Sequence, residues 1–319
     1  MQHPPQFRIV KESPVGILRE RLGSRGDIFL RRSNTGKFND TYFVEGAELA
    51  RPLVVRVAPP DDRGRMLFYE HRMMRQEPML HRLLRKNTSM PVPEILHFEE
   101  QNEVLQRDVM VMERMPGEPM VAGHDALLHE LGGKLREVHD SIRADPGAYG
   151  YLGEHRPMRP QKTWQDAFRV MWHSLIDDID NCNGGSAEEI KAWREKFDEY
   201  EAVFAHYEAP ASLLHMDVWA ENILSDSSGR LTGLIDWDRV LWGDPEIEFA
   251  VLEYCGISTP AFWRGYGKMP PSTRDAGIRR VFYLLYEVLK YIVIRIARQG
   301  NPGGAERYRM MARQLLEQI

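Results

Sequence analysis

Residues 213–238 carry polar side chains at spacings that suit metal-dependent phosphoryl transfer. His215 and Asp217 are followed by Asn222 in the pattern H-x-D-x-x-x-x-N, and Asp236 follows within the triplet Ile-Asp-Trp. Phosphoryl transfer needs a carboxylate that orients the attacking hydroxyl group, and oxygen ligands that hold Mg²⁺ against the phosphates. Asp217, Asn222 and Asp236 supply such a set.

A predicted hairpin explains the spacing between the last two of these residues. Two short apolar runs, 222–225 and 231–235, are joined by Asp-Ser-Ser-Gly-Arg, whose residue types favour a turn. Asn222 and Asp236 flank this turn almost symmetrically around Gly229, so antiparallel pairing brings both to the open end of the hairpin. Two oxygen ligands then face one ion, as Mg²⁺ coordination requires.

The elements that precede this region are mostly strands. Up to about Met115, β-branched and aromatic runs predict strands at residues 28–31, 41–45, 53–58, 94–98 and 108–113. One predicted helix, residues 64–85, interrupts them. It ends before Asn87-Thr88-Ser89 and a Pro-Val-Pro segment that cannot continue it.

Beyond Pro116-Gly117 the sequence changes to long helical patterns. They cover residues 125–141, 163–180, 187–207, 274–298 and 304–318, and the hairpin is the region there that favours strands. We therefore predict an α+β chain with a small β-rich N-terminal lobe, residues 1–115, and a larger, mainly helical C-terminal lobe, residues 116–319.

The polar motifs resemble those of the aminoglycoside phosphotransferase family, which shares the protein-kinase-like fold and includes choline and other small-molecule kinases. Its members carry H-G-D-x-x-x-x-N, then I-D-W and G-D-P, and Gly243-Asp244-Pro245 matches the last of these. The resemblance implies that Asp217 is the catalytic base or hydroxyl-orienting group, and that Asn222 and Asp236 ligate Mg²⁺. Met216 stands where the family has Gly, at a position that faces neither the metal nor the hydroxyl group in the resemblance.

Other polar residues of the motifs are expected to be structural. His215 is expected to shape the loop through hydrogen bonds to the backbone. Asp244 precedes Pro245, which suggests a helix that begins there and an aspartate that braces the catalytic loop. Glu248 and His139 are also predicted to be structural, whereas Glu221 and Asp238 are expected to be solvated or bonded within the loop.

The resemblance also implies phosphate contacts in the N-terminal lobe. Residues 33–40 resemble the family's phosphate loop through Gly36 and Asn39, with a plain hairpin turn as the alternative. Arg56 stands where protein kinases place the lysine that holds the α- and β-phosphates, and its planar fork can bind phosphate in a bidentate manner. Glu77 best matches the spacing of the arginine's helix partner, and Glu70 is the second candidate.

The segment Met110–Gly117 resembles the interlobe segment of the family. Backbone groups from Glu113 to Met115 would then bond the edge of the adenine ring. The resemblance thus assigns the nucleotide to the N-terminal lobe, and catalysis and substrate binding to the C-terminal lobe.

Composition and charge exclude several classes of protein. The chain is 43% hydrophobic and 28% charged, as is usual for a globular protein. Its two cysteines, Cys182 and Cys255, support neither a disulfide framework nor a zinc site. A net charge of -5 argues against a nucleic-acid partner. With no run long enough for a membrane span and no signal-peptide core, we expect no membrane partner and a cytoplasmic location.

The charge of the predicted helical lobe bears on the acceptor. Residues 151–275 hold 22 acidic and 12 basic residues, which describes either a solvated acidic surface or a cleft that attracts a cationic substrate. We expect transfer of the γ-phosphoryl group of ATP or GTP to a hydroxyl of a small polar molecule, with an aminoglycoside-like antibiotic as the first candidate. A metabolic kinase for an amino alcohol or sugar derivative is the alternative.

A catalytically silent kinase-like protein that binds a nucleotide or a partner is the alternative from a different class. Such a protein would normally have lost one of the three polar residues of the motif, and all three are present. Protein kinase activity is disfavoured because no D-F-G or A-P-E segment frames an activation loop. The sequence leaves the oligomeric state open.

Overall fold

The computed structural model describes residues 27–33, 38–46, 51–61, 66–121, 124–153, 155–205 and 208–319. The chain forms two compact units. The first unit comprises Met1–Asp61 and Pro93–Met115, and the second comprises Asp62–Val92 and Pro116–Ile319. Residues 62–92 thus group with the second unit and not with the N-terminal lobe predicted for residues 1–115. The reason is that Leu80, Leu84 and Met90 are buried in the apolar core of the second unit.

The first unit is built on an antiparallel five-stranded sheet in the order β1-β2-β3-β5-β4. The central strand β3 has all five residues buried, which explains why its sequence is apolar on both faces apart from Arg56. Each strand lies within one residue of its predicted ends. The strands are β1 (Phe29–Arg32), β2 (Asp40–Glu45), β3 (Leu53–Val57), β4 (Ile95–Glu99) and β5 (Val109–Glu113).

The second unit contains two small sheets. One has the order β6-β8-β9 and the other pairs β10 with β7. The predicted hairpin is confirmed, since Ile223 of β8 lies opposite Leu234 of β9. Strands β6, β7 and β10 are too short to show a periodic pattern in the sequence. The strands are β6 (Glu118–Pro119), β7 (Ser212–Leu214), β8 (Ile223–Ser225), β9 (Leu231–Leu234) and β10 (Leu241–Gly243).

Helices make up most of the second unit. They are α1 (Glu77–Asn87), α2 (Asp125–Ser141), α3 (Trp164–Asn181), α4 (Ala187–Tyr200), α5 (Ala202–Ala205), α6 (Pro245–Tyr254), α7 (Pro260–Tyr266), α8 (Arg274–Val293) and α9 (Pro302–Leu316). A π-helical segment, Ile294–Arg298, continues α8. No helix in the described part of the chain combines the length and the apolarity needed to span a membrane.

The predicted start of helix 64–85 is wrong. The described residues from 66 to 72 form turns and bends, a 3-10 turn covers Met73–Gln76, and α1 begins at Glu77. Arg72 has φ of 58°, in the left-handed region, which interrupts the helical hydrogen-bond ladder before α1. The predicted helix 187–207 is also broken after Tyr200, and the short helix α7 was not predicted, whereas for α6 only the start at Pro245 was predicted.

One apolar core fixes the backbone on either side of the polar motif. Leu213, Val218, Ile223, Leu234 and Trp237 alternate with the polar residues of the motif, and all five are buried in this core. Burying a large apolar side chain stabilises the fold by about 1.5–3 kcal/mol. The chain around Asp217 and Asn222 is therefore held by its apolar neighbours, which leaves the polar side chains available for chemistry.

Candidate active site

His215 shapes the loop that follows β7. Its side chain is fully buried and packs against Trp237, with 4.5 Å between the ring centroids. Its Nδ1 accepts the backbone N–H of Asp217 at 3.1 Å, and its Nε2 donates to the carbonyl of Ile235 at 2.9 Å. These two bonds tie the loop to the end of the hairpin and confirm the predicted structural role of His215.

Met216 occupies an unusual backbone conformation. Its φ is 63°, in the left-handed region that favours glycine, and its side chain is buried. Its backbone N–H donates to Glu248 Oε1 at 2.7 Å, and Glu248 Oε2 bonds to His139 Nε2 at 2.7 Å. The Tyr266 hydroxyl completes this buried chain at 2.8 Å from His139 Nδ1. The structural roles predicted for Glu248 and His139 are confirmed.

This buried chain keeps Glu248 ionised. Burial alone would raise its pKa, but the hydrogen bond and charge of His139 and the backbone N–H of Met216 together hold the pKa below its ordinary value. The carboxylate can therefore accept a hydrogen bond from each partner. Through it, helices α2 and α6 fix the backbone immediately before Asp217.

Both carboxylate oxygens of Asp217 are held by neighbouring side chains. Its Oδ1 lies 2.9 Å from Nη1 of Arg239, and its Oδ2 lies 3.2 Å from Nδ2 of Asn222. Burial would raise the pKa of Asp217, but Arg239, Lys290, His215 and the Asn222 hydrogen bond outweigh it, so the pKa lies below its ordinary value. Asp217 is therefore a carboxylate at neutral pH, with its two oxygens fixed in direction.

Asn222 and Asp236 lie at the open end of the hairpin, as the sequence predicts. Asn222 Nδ2 also donates to the carbonyl of Asp217 at 2.9 Å, so its Oδ1 points away from Asp217. The N–H of Ile235 donates to the carbonyl of Asn222 at 3.0 Å, which places Asp236 one residue beyond that contact. Asp236 has φ of 69°. An amide oxygen and a carboxylate are ligands that suit Mg²⁺.

Asp244 and Gly243 anchor strand β10, which pairs with β7 ahead of the loop. Asp244 is the N-cap of α6: its Oδ1 accepts the N–H of Glu246 at 3.0 Å, and its Oδ2 accepts the Tyr283 hydroxyl at 2.7 Å. A Cβ at Gly243 would lie 2.1 Å from the Trp164 ring, so this position requires glycine. The Gly-Asp-Pro motif is thus structural, and the predicted helix start at Pro245 is confirmed.

One charged residue that contacts Asp217, Arg239, was not predicted from the sequence as part of the site. Arg239 follows the Ile-Asp-Trp-Asp run without any spacing that marks it, and its contact with Asp217 depends on how the loop folds. Glu70, the second candidate partner of Arg56, contacts Arg298 and Arg239 within the second unit. Asp238 is buried and its carbonyl accepts a hydrogen bond from Gln76, so it is bonded within the fold and not solvated.

The predicted nucleotide-binding residues lie on several elements. In the first unit, Arg56 is the buried fourth residue of β3, Asn39 is buried just before β2, and Glu113 ends β5, two residues before Met115. Glu77 is the buried first residue of α1, and its Oε2 lies 3.6 Å from Nε2 of His81. Gly36 lies outside the described residues.

Hydrogen bonds within the first unit limit which backbone groups of Glu113 to Met115 could bind the adenine ring. The N–H of Glu113 donates to the carbonyl of Glu94, and the N–H of Arg114 donates to the carbonyl of Pro52, both at 2.9 Å. These two donors are therefore already used within the sheet. A base that binds along this segment would have to use other backbone groups of Glu113 to Met115.

Comparison with known proteins identifies relatives of this chain. The chain is 26% identical over 171 residues to a probable ketoamine kinase of Staphylococcus aureus, a match that covers 51% of this chain and 58% of that protein. It is 26% identical over 178 residues to hygromycin-B 4-O-kinase of Escherichia coli, covering 51% and 48%. The chain thus spans about half the length of these curated relatives.

The fold agrees with a solved structure over nearly the whole chain. A thermostable mutant of aminoglycoside phosphotransferase APH(4)-Ia superposes with a TM-score of 0.66 at 20% identity, covering 95% of this chain and 98% of that one. The predicted α+β, protein-kinase-like fold is therefore confirmed. The family model described as the phosphotransferase enzyme family matches residues 31–275, a span that holds each candidate residue named above from Gly36 to Asp236. The chain belongs to the phosphotransferase enzyme family.

Proposed function

We propose that this protein is a small-molecule kinase that transfers the γ-phosphoryl group of ATP or GTP to a hydroxyl group of a small polar acceptor. One observation carries the proposal. An ionised carboxylate, Asp217, is hydrogen-bonded to Asn222, and the hairpin places Asp236 beside that asparagine. Such an arrangement combines a proton acceptor with two oxygen ligands for a metal ion, which is what phosphoryl transfer requires of a protein.

Each of the three residues has a distinct role in the proposed reaction. Asp217 orients the acceptor hydroxyl and takes its proton as the oxygen attacks the γ-phosphorus and the bond to the β-phosphate oxygen breaks, which releases ADP or GDP. The Oδ1 of Asn222 and the carboxylate of Asp236 would hold Mg²⁺. When bound, this ion neutralises charge on the phosphate oxygens.

The nucleotide contacts are proposed from the family resemblance and from the chemistry of the residues. Arg56 offers a permanently charged, planar donor for the α- and β-phosphates, with Glu77 as its partner. Asn39 and Gly36 belong to the proposed phosphate loop. For the base, the Glu113 carbonyl and the Met115 N–H are the proposed contacts, because the N–H groups of Glu113 and Arg114 are already used in the sheet.

The relatives' names narrow the proposed acceptor. They designate kinases of ketoamines and of hygromycin B. We propose an amine-bearing sugar derivative as the acceptor, a class that includes both an aminoglycoside-like antibiotic and a metabolic alternative. The acidic excess between residues 151 and 275 supports a cationic acceptor.

Transfer from radiolabelled ATP or GTP to a panel of aminoglycosides, ketoamines and amino alcohols tests the proposal. Asp217→Ala is expected to abolish transfer and leave nucleotide affinity nearly unchanged, because a base acts on the acceptor. Asp236→Ala is expected to weaken Mg²⁺-dependent nucleotide binding. Asp226→Asn is the matched control, since Asp226 lies at the closed end of the same hairpin. Absence of transfer by the wild-type protein to every member of the panel would contradict the proposal.

A further inference from the structure

Arg239 lies between two carboxylates in the interior of the second unit. Its side chain is 14% exposed, and its Nη1 is 2.9 Å from Oδ1 of Asp217. Its Nη2 is 3.8 Å from Oε1 of Glu70. A single guanidinium thus contacts the candidate base on one side and a second, fully buried carboxylate on the other.

Glu70 is held firmly in place. Its Oε2 accepts the backbone N–H of Leu67 at 2.9 Å and a hydrogen bond from Arg298. Its Oε1 is buried and has no hydrogen-bond partner among the described residues, so the ionic contact with Arg239 is the interaction found for that oxygen. Because an uncompensated buried carboxylate oxygen is costly, Arg239 is constrained from the Glu70 side as well as from the Asp217 side.

The segment that supplies Arg298 has an irregular helix. Arg298 is the last residue of the π-helical segment Ile294–Arg298, where the regular ladder of α8 gives way to wider turns. Such segments are rare and often occur at functional sites. Here the widened turn delivers a second arginine to Glu70, which extends the chain of charges to Arg298, Glu70, Arg239 and Asp217.

We infer that Arg239 is a positioning residue for phosphoryl transfer, with Glu70 as its anchor. This inference rests on the proposed function, because it concerns the carboxylate proposed as the base. By holding Oδ1, the guanidinium fixes the plane of the Asp217 carboxylate and leaves Oδ2 for the acceptor hydroxyl. Asn222 bonds to Oδ2 at 3.2 Å, and a carboxylate oxygen has lone pairs for both partners.

The two contacts of Arg239 determine which interactions each substitution keeps or removes. An arginine can contact Asp217 with one terminal nitrogen and Glu70 with the other, whereas a lysine has a single point charge. Arg239→Lys therefore keeps the charge and one contact, and Arg239→Gln keeps neither the charge nor the fork. Glu70→Gln leaves Arg239 in place and removes the charge of its anchor.

Steady-state kinetics with Mg²⁺-ATP and an accepted substrate test this role. Arg239→Gln is expected to lower kcat at least tenfold while the KM for ATP changes less than twofold, and Arg239→Lys to recover part of the loss. Glu70→Gln should lower kcat by a smaller factor. Arg264→Gln is the control, because Arg264 forms an exposed pair with Asp125 on the surface. A wild-type kcat in Arg239→Gln, or a loss confined to the KM for ATP, would overturn the inference.

A second measurement tests the contact without relying on turnover. In a double-mutant cycle, the melting temperatures of Asp217→Asn, Arg239→Gln and the double variant are compared with that of the wild type. If the two side chains are paired, the melting temperature of the double variant should fall by clearly less than the sum of the two single decreases. Additive losses would overturn the inference even if the wild-type protein transferred phosphate to no acceptor, an outcome that by itself contradicts only the proposed function.

Discussion

The left-handed backbone at Met216 leads to a prediction that reverses an ordinary rule of protein stability. In most buried positions, alanine is more stable than glycine, because glycine loses more backbone freedom on folding. Met216 has φ of 63° immediately before the candidate base, and its N–H is fixed by Glu248. There the Cβ of any other residue is strained, and glycine avoids that strain.

The magnitude follows from two opposing terms. A residue with a Cβ costs about 1–2 kcal/mol in the left-handed region. Glycine costs about 0.5–1 kcal/mol in backbone entropy relative to alanine. Both Met216→Gly and Met216→Ala lose the buried thioether atoms beyond Cβ, so that loss cancels between them. We expect Met216→Gly to be more stable than Met216→Ala by about 0.5–1 kcal/mol.

Urea denaturation of the two variants measures this difference directly. Met171, which is fully buried in the regular helix α3, is the matched control. There the order should be the usual one, with Met171→Ala more stable than Met171→Gly by about 1 kcal/mol. If Met216→Ala were as stable as Met216→Gly or more so, the account of strain at Met216 would be refuted.

Two further predictions concern other parts of the second unit. Asp178 accepts the N–H of Phe68, and burial raises its pKa to about 7, so the folded state retains a proton that the unfolded chain has already lost above about pH 4. The stability that this proton provides is lost as the pH rises through 7, and Asp178→Asn should gain on the order of 2 kcal/mol over the wild type between pH 4 and pH 8. Denaturation at several pH values checks this, and a difference that does not change with pH would contradict it. Gly117 has φ of 94°, and an added Cβ would lie 2.5 Å from the carbonyl oxygen of Ser225, whereas Gly256 has φ of 71° and open space. Thermal melts should show Gly117→Ala to be destabilised by about 3 kcal/mol or more and Gly256→Ala by about 1 kcal/mol, and equal losses would mean that the clash is absent.

The sequence predicted the fold where a pattern was long enough to show its period. The five strands of the first unit are four to six residues long and coincide with β-branched or aromatic runs, and their ends were predicted to within one residue. Helices α2 and α3 have clear apolar stripes, and α3 also begins at a capping residue, Thr163. The start of α1 was missed because Arg72 adopts a left-handed conformation, which its residue type does not predict.

The candidate site was predicted in part for a similar reason. Asn222 and Asp236 are related by a local hairpin, so their approach follows from spacing around one turn. Arg239 and Glu70 are 169 positions apart in the chain. Their contact depends on how the turns before α1 pack against the loop after β9. No local pattern encodes such a pair, and it required the tertiary structure.

Buried hydrogen bonds hold strained backbone conformations in place at the site. Met216 and Asp236 both have positive φ: Met216 immediately precedes the candidate base, and Asp236 is itself a candidate metal ligand. Conformations of this kind persist when neighbouring contacts hold them. For Met216 these contacts are Glu248 and His139, whose side chains are fully or almost fully buried. Because the backbone is fixed before any ligand arrives, little reorganisation should be needed when the acceptor binds, and the loop can direct Asp217 toward a hydroxyl group without first folding around it.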